Sequence, residues 1–179
     1  MSNLFEFDLV FALGEGEHDV FELADAVYAL GFDDAVVGTG QAGLLAVALE
    51  VEGEQPDQVI LEAARTILPH LPKGSTLREV RPDLVSLADV AKKLSVQRQA
   101  LQKRKVPQPA VQGLYRVTEL AKSLEQQVEQ PTAGARRPRF SMDAAKPWLA
   151  AGAGAQTVNA RMALGELDPQ SLQPRKRST

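Results

Sequence analysis

The sequence predicts an α+β protein: a four-stranded, two-helix N-terminal domain, then a helical domain, then a short helical extension. Three observations predict it. Phe5, Phe7, Leu9, Phe11 and Leu13 recur at period two, the mark of a strand with one apolar side. Val20 to Leu30 and Val59 to Ile67 carry apolar residues at helical spacing. The charge also changes sign along the chain. Residues 1–80 hold 15 acids against Arg65, Lys73 and Arg78, a net charge of −12, whereas residues 81–179 hold 17 basic residues and 8 acids, a net charge of +9.

Taken in order, the strand from Phe5 to Leu13 leads through Gly14-Glu15-Gly16 to Asp19, an N-cap with Glu22 at the capping-box position. Val20, Leu23, Ala24, Val27 and Leu30 form the buried stripe of the first helix, and Gly31 ends it. Ala35 to Gly38 is a short strand, Thr39 to Gly43 a turn and Leu44 to Glu52 a second strand. Gly53 to Pro56 leads into a helix from about Asp57 to Leu68, with Val59, Ile60, Ala63, Ala64 and Ile67 inward, and Ser75 to Arg81 makes the last strand. The order strand-helix-strand-strand-helix-strand is that of a split βαβ, ferredoxin-like sandwich over residues 1–81. Its sheet has one face under two helices and the other open for a partner or a ligand.

Val80-Arg81-Pro82-Asp83 is the domain joint, because proline disfavours helix before it. Residues 82–126 then read as a helix-turn-helix unit. Ser86 is an N-cap with Asp89 three residues on, and Leu87, Val90, Ala91 and Leu94 share one helical face. Ser95 to Gln97 interrupts the pattern, and Arg98 to Lys105 forms a second helix with Ala100 and Leu101 inward. Gly113 to Arg116 is a wing strand, and Thr118 caps a third helix with Leu120, Ala121 and Leu124 inward. Residues 127–140 are a basic, flexible linker. Residues 141–168 hold short helices interrupted at Gly152-Ala153-Gly154, and residues 169–179 are a disordered basic tail.

The second helix of the pair carries no acid. In helix-turn-helix docking that helix enters the major groove. Gln97, Arg98, Gln99, Gln102 and Lys103 then point outward, where Arg and Lys pair with guanine and Gln with adenine. Arg104 and Lys105 complete the row, and Lys92, Lys93, Lys105, Arg116, Arg136, Arg137 and Arg139 are placed for phosphates. The expected partner is double-stranded DNA, bound as a homodimer because such units gain affinity by spanning two half-sites. A basic, solvated helical hairpin packed on the first domain is the plainer alternative.

Residues 83–124 resemble the excisionase/MerR-like helix-turn-helix proteins, on the stretch DLVSLADVAKKLSVQRQALQKRKVPQPAV followed by GLYRVTELAKSL. Residues 5–124 together resemble small bacterial DNA-binding proteins that carry an acidic α/β domain before such a unit. The resemblance implies a winged helix-turn-helix and a role in transcription regulation, as a repressor or autoregulator. Three departures from the pattern bear on the helix angle: Ser95 stands where the turn glycine is usual, Gln97 where a capping Ser is usual, and Arg104 where an apolar residue is common. Residues 125–179 lie outside the resemblance. A second reading makes the acidic domain primary, as a module that binds a protein partner in the manner of an antitoxin-like or adaptor subunit of a mobile-element or defence system.

Other classes are disfavoured. Gly38-Thr-Gly-Gln-Ala-Gly43 matches G-x-G-x-x-G, with Glu62 at a distance suited to a ribose-binding acid. A dinucleotide site needs a helix directly after the glycines and further parallel strands, so a hairpin turn is the better reading. His18 and His70 are the only histidines, no nucleophile elbow is present, and no cluster has metal-ligand spacing. No catalytic residue, metal or cofactor is therefore expected. With no cysteine, no basic leader and no run of 18 apolar residues, the expected setting is cytoplasmic and away from membranes.

Overall fold

The first strand organises the molecule. In the computed structural model, which describes residues 1–130, 133–134 and 140–175, β1 (Asn3–Ala12) lies between two partners. Phe5, Phe7, Leu9 and Phe11 are all buried on one side. β1 pairs antiparallel along its whole length with β3 (Leu44–Gly53), and on its other side with β4 (Thr76–Arg81), with a bulge between Val10 and Phe11. β2 (Val36–Gly38) completes the sheet, whose order is β2-β3-β1-β4. Two helices fill the connections. α1 (Val20–Tyr28) starts at Asp19, whose carboxylate accepts from the Phe21 N–H at 2.7 Å. α2 (Pro56–Ile67) starts at a proline, which loses nothing where the backbone N–H has no helical acceptor. Its predicted stripe of Val59, Ile60, Ala63, Ala64 and Ile67 is buried.

The glycine-rich stretch is a turn. β2 and β3 form an antiparallel hairpin around it, Gly43 adopts φ +76°, and a strand, not a helix, follows. The dinucleotide arrangement is thereby excluded for Gly38 to Gly43.

The chain then builds a helical unit: β5 (Leu84–Val85), α3 (Leu87–Lys93), α4 (Arg98–Gln102), β6 (Tyr115–Arg116) and α5 (Val117–Glu129). The predicted wing strand is β6, and its partner is β5, which has no sequence signal of its own because two residues carry no period. α5 runs to Glu129, beyond the expected end near Leu124, and begins at Val117. Thr118 is therefore inside the helix and not its cap; its hydroxyl lies 3.4 Å from Gln156 Oε1.

The larger departure is α6 (Lys146–Ala163), a single helix of 18 residues that passes through Gly152 and Gly154 without interruption. The glycines are there for clearance. A Cβ on Gly152 would lie 2.3 Å from Val117 Cγ1, and one on Gly154 would lie 2.6 Å from the backbone of Pro56 and Asp57. α6 is thus no separate segment. Ala145, just before it, and Leu149 belong to the core of the helical unit, while Ala151, Ala155 and Val158 belong to the core over the sheet.

The last turns of α6 and the chain after it grip the sheet. Asn159 accepts from the Val80 N–H at 2.9 Å and donates to the Val80 carbonyl at 2.8 Å, as a neighbouring strand would. Pro169 accepts from the Leu77 N–H at 2.8 Å, so the outer edge of β4 is covered. Leu172 is fully buried, its carbonyl accepting from Arg65 at 2.8 and 3.1 Å. The expected disordered tail is therefore ordered through residue 175, since its one buried leucine completes the sheet's core. Backbone N–H groups of Ser171 and Gln170, with the Arg175 guanidinium, hold the Asp168 carboxyl well below the usual carboxylate range.

Replacing Gly154 with Ala tests the close approach. In an exposed helix the change would stabilise by about 1 kcal/mol; here the added carbon meets backbone, and a net loss of about 1–3 kcal/mol is expected in urea denaturation. A stabilised variant would contradict the packing.

Candidate nucleic-acid interface

Local chemistry fixes the helix pair. Ser86 and Asp89 form a complete capping box: the Ser86 Oγ accepts from the Asp89 N–H at 3.2 Å and the Asp89 carboxylate accepts from the Ser86 N–H at 2.8 Å. At the other end of α3, the Ser95 N–H bonds the Lys92 carbonyl at 3.2 Å and the Val96 N–H bonds the Ala91 carbonyl at 2.9 Å. These are the two bonds of a Schellman motif, with Ser95 in the left-handed position at φ +54°. Serine at the glycine position therefore does not prevent the turn. Gln97 does depart as its sequence implied: it precedes α4 without a side-chain capping bond.

Ala91 and Leu101 are buried between the two helices, with Val90 and Leu94 beneath. α4 ends sooner than expected, at Gln102, and Ala100 is exposed, so Leu101 alone anchors it. The carbonyl of Lys105 accepts from Ser123 Oγ and Gln127 Nε2, both at 2.8 Å, which ties the segment after α4 to α5. The β5–β6 pair and a bond from the Val117 N–H to the Asp83 carbonyl at 2.9 Å close the unit.

This arrangement sorts the predicted residues. Gln97, Arg98, Gln99, Gln102, Lys103 and Lys105 are all exposed, and so is Lys92. Arg98 and Gln102 share a groove of about 280 Å³ with Ser86, Ala88, Gly113 and Tyr115, which brings the start of α3, α4 and the chain entering β6 to one surface. Arg104 is half-buried and stands apart from the outward row. Arg116 is exposed and 4.0 Å from Glu119, a contact worth little in water. Arg136, Arg137 and Arg139 lie outside the described residues.

Lys93 is placed differently from the expectation. It crosses to the sheet, pairs with Glu6 and lies 5.7 Å from the centre of the Trp148 ring. Between residues 90 and 118 the chain has seven basic residues and no acid, so the outward surface of the helix pair meets no internal competitor in its own sequence. Among the described residues no group of acids and histidines could hold a metal ion, and no helix is long and apolar enough to cross a membrane. No family model, no curated protein and no solved structure matches the chain.

Glycine at position 95 relieves the left-handed serine. Ser95→Gly is expected to raise stability by about 0.5–1 kcal/mol, read as a shift in the denaturation midpoint. A destabilised variant would show that the turn does not hold φ +54°.

Proposed function

We propose that the chain is a sequence-specific, double-stranded DNA-binding transcription regulator. In this reading residues 1–81 form a ferredoxin-like domain, residues 84–124 a winged helix-turn-helix, and α4 with its flanks is the recognition element. The observation that carries the reading is the face of α4. One buried leucine fixes the helix, and Gln97, Arg98, Gln99, Gln102 and Lys103 around it all reach solvent as long hydrogen-bond donors. Side chains of that kind match guanine and adenine edges in the major groove, and the lack of acids between residues 90 and 118 suits a polyanion. Binding as a dimer would place two such elements on half-sites about one helical turn apart.

The test is fluorescence anisotropy with duplex DNA from upstream of the protein's own coding region. Affinity is expected to fall steeply with salt, and Arg98→Ala with Lys103→Ala to weaken specific binding by about 1–3 kcal/mol for each lost base contact. Lys92→Ala should weaken all sequences alike and reduce the salt slope by about 1. Salt-insensitive binding, or a double variant that binds as well as the parent, would overturn the proposal.

The acidic free face of the sheet favours the second reading, a protein-binding module. Glu50 and Glu52 are exposed on β3, across from Glu6, which Lys93 already pairs, and from Leu4. Exposed acids on an uncovered sheet face suit a basic partner. Co-purification of a stoichiometric protein that survives high salt would support this reading over the first.

A further inference from the structure

The free face of the sheet is roofed at one end. α3 and Trp148 stand over Glu6 and Asp8 and enclose a cleft of about 670 Å³, within the size range of small-molecule sites. Asp8 and Glu79 come from the sheet, Arg81 from its last strand, Asp89, Lys92 and Lys93 from α3, and Trp148 from α6.

An account of partners shows what the cleft lacks. Arg81 is held by Glu79 at 2.8 Å, Asp89 by Ser86, and Lys93 by Glu6, while Lys92, the remaining cation on the wall, is exposed to solvent. The Asp8 carboxylate is bonded to none of the described residues, and it is sheltered: burial pushes its pKa up, against the pull of Arg81 and Lys93. Asp8 is half-buried rather than sealed from water, so its carboxylate is open to a ligand that enters the cleft. The wall beside it already shows what fits. Lys93 brings an ammonium against Trp148 and a carboxylate of the same strand, the combination that recognises organic cations.

We propose that this cleft binds a small organic cation, a primary amine or a guanidinium, with its charge on the Asp8 carboxylate and its carbon chain along Trp148. The ligand would share Trp148 with Lys93 and would touch the sheet, α3 and α6 together. Any effect on DNA binding rests on the function proposed above, but binding of the cation does not, and its test uses no DNA.

Trp148 is the only tryptophan, so its emission reports the cleft directly. The full chain is titrated at constant ionic strength with 1,4-diaminobutane, with glutarate as the anionic control, and the heat of binding is measured in parallel. Saturable binding of the diamine with a change in Trp148 emission is expected, and none with glutarate. Asp8→Asn, which keeps shape and removes charge, should weaken the diamine by about tenfold or more. Trp148→Phe should abolish the emission change and leave measurable heat. The proposal is overturned if wild-type protein shows no saturable diamine binding, if glutarate binds as well, or if Asp8→Asn binds undiminished.

Discussion

Everything in this molecule depends on the closeness that Gly152 and Gly154 allow. α6 approaches Val117 on one side and the first turn of α2 on another, and no larger side chain fits at either contact. Alanine and glycine are poor sources of hydrophobic area, so α6 contributes by bringing backbones together. Small residues convert proximity into many weak contacts. Because Leu149 enters one core and Ala151, Ala155 and Val158 the other, one rigid rod is shared by both units. The sheet and the helix pair are thereby held at a fixed orientation.

Electrostatics follows from that orientation. The acidic half does not simply neutralise the basic one. Lys93 alone of the α3 lysines turns inward, where it meets Glu6, while the cations and amides of α4 stay in solvent. The pair across the junction is partly exposed, so it fixes geometry more than it adds stability. Lys93 therefore stands between the basic and amide side chains of α4 and the acids of β1.

Much of this was legible in the residues, and what was not has physical causes. The period-two run from Phe5 to Phe11, the stripe of α2 and the Ser86–Asp89 capping box are local patterns, and each formed where its spacing put it. The mixed α+β character followed from the order of elements. α6 was hidden because glycine is the ordinary sign of a helix break, and its packing role is set by Pro56 and Val117, far away in sequence. β5 was hidden because its partner lies about thirty residues on. The outward residues of α4 follow from the placement of Leu101, whereas Ala100 was misassigned to the interior because one small apolar residue does not define a face. Lys93 was misassigned because the neighbour that attracts it belongs to the sheet.

Native-state hydrogen exchange addresses the shared rod most directly. If α6 joins both cores into one cooperative body, the most protected amides of β1, such as Phe7 and Leu9, and those of the helical unit, such as Val90 and Leu120, exchange through the same global opening with a common dependence on urea. Exchange of the Val90 and Leu120 amides through a separate opening, about 2 kcal/mol or more below that of β1, would contradict the account.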